Sequence, residues 1–332
     1  MPVYNAGKYL EECLESILAQ DFGDWELVIV EDCSTDNSLE IIRRYMSRDK
    51  RIRLFQRPHN SGGAYLPRVE AAMQAYAEYL VIIDADDVVS DNMLTLHRRR
   101  LDDDVNGADL LIPEMWRLQG GKTWKTLPLA TFDADREWEG KQLVEHTLCR
   151  WEFPMAGFAV RRKLYLNAAE NITEDDQKSI FADELLSRHI LVRSERVAFT
   201  KGHYYYRVNE SSVTNTDVNR LITSKMYVCE RLVRMSEELY EKYSPTHLKA
   251  LEDKFWAIVS CLRLVNSSRR EMNSVDINSA DREIKRGIGS LDMNLLKGRI
   301  GPRYYALMRL PAKPARFALR ILDPLLLKQA AK

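Results

Sequence analysis

Three aspartates follow one apolar run without a break: YLVII, residues 79–83, leads straight into Asp84-Ala85-Asp86-Asp87. Carboxylates converging at the end of a strand call for a cation. Hard oxygen ligands select Mg²⁺ or Mn²⁺, and magnesium is held by one or two carboxylates together with substrate phosphates, so a metal and a diphosphate are implied together. The competing reading is an acidic turn or a helix cap. A second acidic pair, Glu31-Asp32, closes WELVIV, residues 25–30, ahead of a turn rich in Ser, Thr and Asp. There Asp32 can accept hydrogen bonds from a base or a ribose, or serve only as an Asx cap. His59, His146, His189 and His203 show no ligand spacing and read as surface or core residues.

These carboxylates need elements to hold them. Tyr9, Leu10, Cys13, Leu14, Ile17 and Leu18 recur at helical spacing in residues 8–20, and WELVIV then reads as a short strand. The turn EDCSTDNS leads into a second amphipathic helix, SLEIIRRYMSR, with Asp36 or Asn37 as its cap. A strand at Arg53–Gln56, the loop RPHNSGGA and a helix over 66–77 precede YLVII. Strands alternating with helices predict a parallel sheet covered on both faces, with ligands at the carboxyl ends of its strands.

Between residues 105 and 210 the text is irregular, with strands expected at Ala108–Pro113, Ala156–Arg161 and Arg196–Thr200 among aromatic loops. Tyr204–Tyr206, Trp116, Trp124, Trp138 and Trp151 can stack on sugar faces, although core or interface packing suits most of them. From Val218 to Ser268 the periodicity is strongly helical. The expected divisions are 1–104 and 105–215 as two halves of one domain, 216–296 as a helical region and 297–332 as a tail.

Composition narrows the class. A chain of 332 residues with 45% hydrophobic content buries a real core, and zero net charge removes the basic excess that a nucleic-acid partner would want. The zero hides a split: nine Lys and Arg against Asp323 give +8 from residue 297 onward, leaving −8 on the rest. Pro311, Pro314 and Pro324 break that tail into short pieces that mix basic with apolar residues. It suits either an anionic membrane leaflet or the chain's own acidic body. Five widely spaced cysteines form no CxxC pattern, so a reducing cytoplasm fits, and no apolar run reaches the roughly 18 residues of a spanning helix.

MPVYNAGKYLEECLESILAQ, LVIVEDCSTDNS, HNSGG followed by Arg68, and IIDADD occur in that order over roughly residues 1–100. Together they resemble the family 2 glycosyltransferases, whose GT-A fold is α/β: a Rossmann-like, mostly parallel sheet with flanking helices, here followed by a helical C-terminal region. The resemblance extends to GFAVRRKLY at 157–165, to FADELL at 181–186, which is similar to the family's Glu-Asp base motif, and to YYYRVNESSVT at 204–214, similar to a segment covering the donor diphosphate.

The resemblance implies that Pro2, Val3 and Tyr4 line the nucleobase, that Asp32 binds the uracil or its ribose, and that Arg68 approaches the nucleotide. Asp84 and Asp86 would hold the ribose and the metal–diphosphate, with Asp86 on a Mn²⁺ or Mg²⁺ cofactor. Asp183 would be the general base. The family has a Glu-Asp pair there, whereas Ala182 precedes Asp183 and Glu184 follows, so both carboxylates remain candidates.

The implied activity is an inverting, metal-dependent transfer from a nucleotide-sugar donor, UDP-linked, to a saccharide or lipid-linked acceptor in bacterial envelope polysaccharide or lipopolysaccharide synthesis. Its implied place is cytoplasmic and peripheral at the inner face of the membrane. Two departures stand out. The Asn60–Arg68 loop is one residue longer than usual and carries Pro67, and the strand that family members place ahead of Pro-Val-Tyr-Asn is missing, which leads us to expect a true start upstream of Met1. A catalytically impaired nucleotide- or glycan-binding relative and a nucleotidyltransferase are the competing functions.

Overall fold

A computed structural model describes residues 1–103, 107–125, 133, 135–147, 155–209, 217–240, 244–268, 272–311 and 314–315. Two compact units emerge: one comprises 1–147, 151–178 and 182–210, the other 148–150, 179–181 and 211–332.

The first unit opens with β1 (Pro2–Val3), α1 (Leu10–Leu18), β2 (Leu27–Glu31), α2 (Ser38–Arg48) and β3 (Ile52–Gln56). The three strands form a parallel sheet in the order β1-β2-β3. All five residues of β2 are buried, as expected of a strand covered on both faces. Leu10, Cys13, Leu14 and Ile17 of α1, and Ile41, Ile42 and Tyr45 of α2, supply the apolar stripes that meet this sheet's core.

Next come α3 (Tyr65–Gln74), β4 (Tyr79–Val81), β5 (Val88–Val89), α4 (Met93–Asp102), β6 (Leu110–Gln119), β7 (Lys122–Lys125), α5 (Gly140–Thr147), β8 (Ala159–Arg161), α6 (Arg162–Ala169), α7 (Glu174–Gln177), α8 (Ala182–Arg193) and β9 (Val197–Arg207). Pro67, unexpected from the sequence pattern, falls in the first turn of α3, where no intrahelical N–H bond is lost and Arg68 is carried just inside the helix. The second sheet has the order β4-β8-β6-β9-β5, with β7 paired to β6. It is mixed: β6 runs parallel to β9, while β8 is antiparallel to both β4 and β6. The first sheet is therefore parallel and the second mixed.

Strands β6 and β9 extend past the expected runs to Gln119 and Arg207, because their outer halves alternate burial with a period of two rather than staying apolar. The β6–β7 hairpin turns at Gly120 and Gly121, both at positive φ (56° and 76°), the backbone that a two-residue turn of this kind demands.

The second unit is helical: α9 (Val218–Leu239), α10 (Pro245–Ser267), α11 (Ser274–Gly289), α12 (Met293–Leu296) and α13 (Pro302–Met308). Side chains of Asp217, Ser244, Asn273 and Asp292 cap four of these helices. Among the described residues no helix is long and apolar enough to cross a membrane. Cys149, Trp151, residues 210–214 and the tail beyond 315 lie outside the described residues.

Candidate active site

Asp84, Asp86 and Asp87 follow β4 as the strand-end pattern predicts, but their surroundings differ sharply. Asp87 is 1% exposed. Its carboxylate accepts the Tyr204 hydroxyl at 2.6 Å and the Arg207 N–H at 2.7 Å, so it ties the aspartate turn to β9. Burial pushes its pKa well up, and the charges of Asp84 and Asp86 push the same way. Tyr204 also accepts the Asp84 N–H at 3.1 Å. Its ring lies against Gly157, where φ is +80° and a Cβ would fall 2.7 Å from the ring, so only glycine fits. Arg207 completes the clasp, donating Nε–H to the Asp86 carbonyl at 2.7 Å and a second N–H to Glu12 at 2.6 Å. The Tyr-Arg segment at 204–207 thus grips the turn from beneath.

Asp86 is different. Burial raises its pKa, the charge of Asp84 raises it further, and hydrogen bonding by Asn209 opposes both. No ion pair joins its carboxylate to a cation among the described residues. Among the described residues no three His, Cys, Asp or Glu side chains gather as a metal-binding group; the carboxyl oxygens of Asp86 and Asp84 are of the hard type that suits Mg²⁺ or Mn²⁺ when substrate phosphates complete the shell.

Asp84 meets Arg68. One guanidinium nitrogen lies 2.6 Å from Asp84 Oδ1, and the other lies 3.6 Å from Asp183 Oδ2. The fold therefore brings Asp84 of the strand-end turn and Asp183 of FADELL, remote in sequence, to one arginine. Asp183 sits in the first turn of α8 with 38% of its side chain exposed. The protein packed around it pushes its carboxyl above the ordinary value, Arg68 pulls it down, and Asp84 adds to the rise.

Glu184 faces inward. Only 12% of its side chain is exposed, and it pairs at 3.1 Å with Arg188, which is 1% exposed and donates to the Thr147 carbonyl and the Ser187 hydroxyl. Burial pushes Glu184 up to about 7, with Arg188 pulling the other way. Sequence reasoning passed over Arg188 and Tyr165; a lone arginine in a helix and a tyrosine after a basic turn carry no chemical signal.

The expected nucleobase residues gather at the ends of β1 and β2. Val3 is 1% exposed in the core, with its carbonyl accepting the Asp32 N–H at 2.8 Å, whereas Tyr4 is 50% exposed. Pro2 is buried and pairs with Val30. Asp32 is buried and well satisfied: it takes the Ser61 N–H at 3.0 Å, the Ser61 hydroxyl at 2.7 Å and the Asn60 amide at 3.1 Å, and it pairs with Arg57 at 2.9 Å. The HNSGG loop is thereby folded onto Asp32.

Comparison with known proteins fits this arrangement. The model of "Glycosyl transferase family 2" matches residues 1–165. Glycosyltransferase GlyG of Streptococcus pneumoniae serotype 4 is 31% identical over 222 residues, 65% of this chain and 72% of its own. TarS of Staphylococcus aureus, a poly(ribitol-phosphate) beta-N-acetylglucosaminyltransferase, is 36% identical over 122 residues, which are 36% of this chain and only 21% of that one. A crystal structure of TarS 1–349 in complex with UDP-GlcNAc superposes with a TM-score of 0.67 at 19% identity, covering 99% of this chain and 90% of that one. A mannosyltransferase from Pyrobaculum calidifontis, in complex with GDP-Man and Mn²⁺, gives a TM-score of 0.52 at 15% identity, over 97% and 86% of the two chains. The chain belongs to glycosyl transferase family 2 and is built on the GT-A fold.

Proposed function

We propose that this glycosyltransferase moves a sugar from a UDP-linked donor to a hydroxyl of a saccharide or lipid-linked acceptor with inversion at the anomeric carbon, in cell-envelope polysaccharide synthesis. One observation carries the reading: Arg68 spans Asp84, at the carboxyl end of β4, and Asp183, a partly exposed carboxylate of α8. Residues 1–104 supply the donor side and 105–215 the acceptor side.

A sugar hydroxyl is a weak nucleophile at neutral pH. Asp183 accepts its proton as the oxygen attacks the anomeric carbon from the face opposite the leaving UDP, through an oxocarbenium-like transition state. Glu184, turned inward onto Arg188, braces the first turn of α8 and leaves the proton transfer to Asp183. Asp86 is the carboxylate that would hold Mn²⁺ or Mg²⁺, and such an ion, when bound, neutralises charge developing on the departing diphosphate. Tyr4, half exposed at the end of β1, offers its ring to the base, and Asp32 becomes available to uracil or ribose once Ser61 and Asn60 release it.

The test is UDP release by the purified chain with UDP-GlcNAc and UDP-glucose, Mn²⁺ and a set of saccharide and lipid-linked acceptors. Acceptor-dependent UDP release supports the reading, and none from any donor overturns it. The same chain is expected at the cytoplasmic face of an anionic membrane through residues 297–332. Vesicle flotation checks this: equal flotation with and without that segment removes the membrane role.

A further inference from the structure

Arg68 is placed for more than a nucleotide contact. It is 10% exposed, is anchored in the first turn of α3, and divides one guanidinium between two carboxylates on different elements. The contact to Asp84 is tight at 2.6 Å and that to Asp183 looser at 3.6 Å. Apart from Arg68, the partner shown for the Asp183 carboxylate is the Glu184 N–H at 3.0 Å. Helices α3, α6 and α8 pack together beside this site, and α6 contributes Tyr165, which is fully buried and within electrostatic reach of Arg68, Asp183 and Asp84. Among the described residues neither the Tyr165 hydroxyl nor Arg68 Nε has a hydrogen-bond partner. A buried polar group without a partner costs stability, so two of them in the neighbourhood of Asp183 call for an explanation beyond packing.

We propose that Arg68 is a positioning residue: the shared counter-ion that orients Asp183 as base and couples its placement to occupancy of Asp84 by the donor. The inference rests on the transferase reading above. Without the guanidinium, Asp84 and Asp183 would confront each other as like charges, and the carboxylate of Asp183 would lose the cation that fixes its direction. When donor groups engage Asp84, the guanidinium they displace has one carboxylate left to serve, that of Asp183. Donor binding and alignment of the base are then linked through a single side chain, as any differential contact links two sites.

The experiment compares wild type, Arg68→Gln and Arg68→Lys by initial rates with the active UDP-sugar and Mn²⁺, and by calorimetric titration of UDP with Mn²⁺. For Arg68→Gln, kcat is expected to fall roughly 10²-fold, the scale of a misplaced catalytic group, while UDP affinity is retained or rises, because the donor no longer has to displace a guanidinium from Asp84. Arg68→Lys, whose single ammonium reaches one carboxylate at a time, is expected to recover about tenfold of that loss. Should Arg68→Gln fail to fold, Arg68→Lys decides alone: a lower kcat with UDP affinity undiminished supports the proposal. A drop in UDP affinity with kcat retained makes Arg68 a nucleotide ligand and overturns it. An active wild type alongside a fully active Arg68→Gln overturns this inference alone, whereas a wild type inactive with every donor overturns the transferase reading and this inference with it.

Discussion

Replacing Asp183 with Asn is expected to cut kcat by about 10²–10⁴-fold, the contribution of a general base, while UDP binding stays within a few-fold. The amide keeps the shape and the place in the first turn of α8 but has no charge with which to accept a proton. The pH profile is part of the same expectation. In the folded protein the surrounding bulk and Asp84 hold Asp183 above the ordinary carboxylate pKa, with Arg68 opposing them. The base works only when deprotonated, so kcat falls as pH drops through that raised pKa, and the acid limb sits at higher pH than an ordinary aspartate would give. Glu184→Gln is the control. It is expected to disturb the pair with Arg188 and cost stability while retaining turnover. Loss of turnover in Glu184→Gln with Asp183→Asn fully active would transfer the role to Glu184.

The second large effect is expected at Asp86. Asp86→Asn removes one of two close carboxylates without changing shape. A direct ligand should cost at least the roughly 10–100-fold in metal affinity that loss of a ligand's supporting hydrogen bond costs. In calorimetry the variant is therefore expected to bind UDP equally with and without Mn²⁺, and wild type is expected to bind far better with the metal. Its raised pKa gives an independent readout: with burial and Asp84 both opposing ionisation, proton release on Mn²⁺ binding to wild type should grow as the pH is lowered toward that raised pKa. Metal-independent UDP binding by wild type would remove Asp86 from the metal and with it the metal-dependent form of the reaction. Asp87→Asn separates chemistry from scaffolding. Because Asp87 serves Tyr204 and the Arg207 N–H, that change should lower the melting temperature more than it lowers metal affinity.

Much of the fold is local enough to be written in a single sequence. Leu10, Cys13, Leu14 and Ile17 repeat at helical spacing and form the buried stripe of α1, and WELVIV forms a strand buried along its length. DADD follows an apolar run and lies at a strand's carboxyl end, as alternating strands and helices require. The division of labour within DADD was not legible. Asp84, Asp86 and Asp87 are alike as residues, and only β9 arriving with Tyr204 and Arg207 makes one of them structural. YYYR reads as an aromatic loop because alternation over so few residues is a weak signal, yet it is the end of a long strand whose partners come from β5 and β6.

The choice between Asp183 and Glu184 shows the same limit. Both lie in the first turn of α8, and their spacing says nothing about which faces out. Packing sets them apart: Glu184 turns inward to pair with Arg188, and Asp183 meets Arg68 of α3, which is the ground on which Asp183 is proposed as the base. Elements, their order and the acidic strand end were determined by the sequence, because hydrophobic periodicity acts over a few residues. Which carboxylates are held in buried pairs, as Asp87 and Glu184 are, and which meet a neighbour more loosely, as Asp183 does, was decided only in the tertiary structure, because burial and ion pairing depend on residues that meet only after the chain has folded.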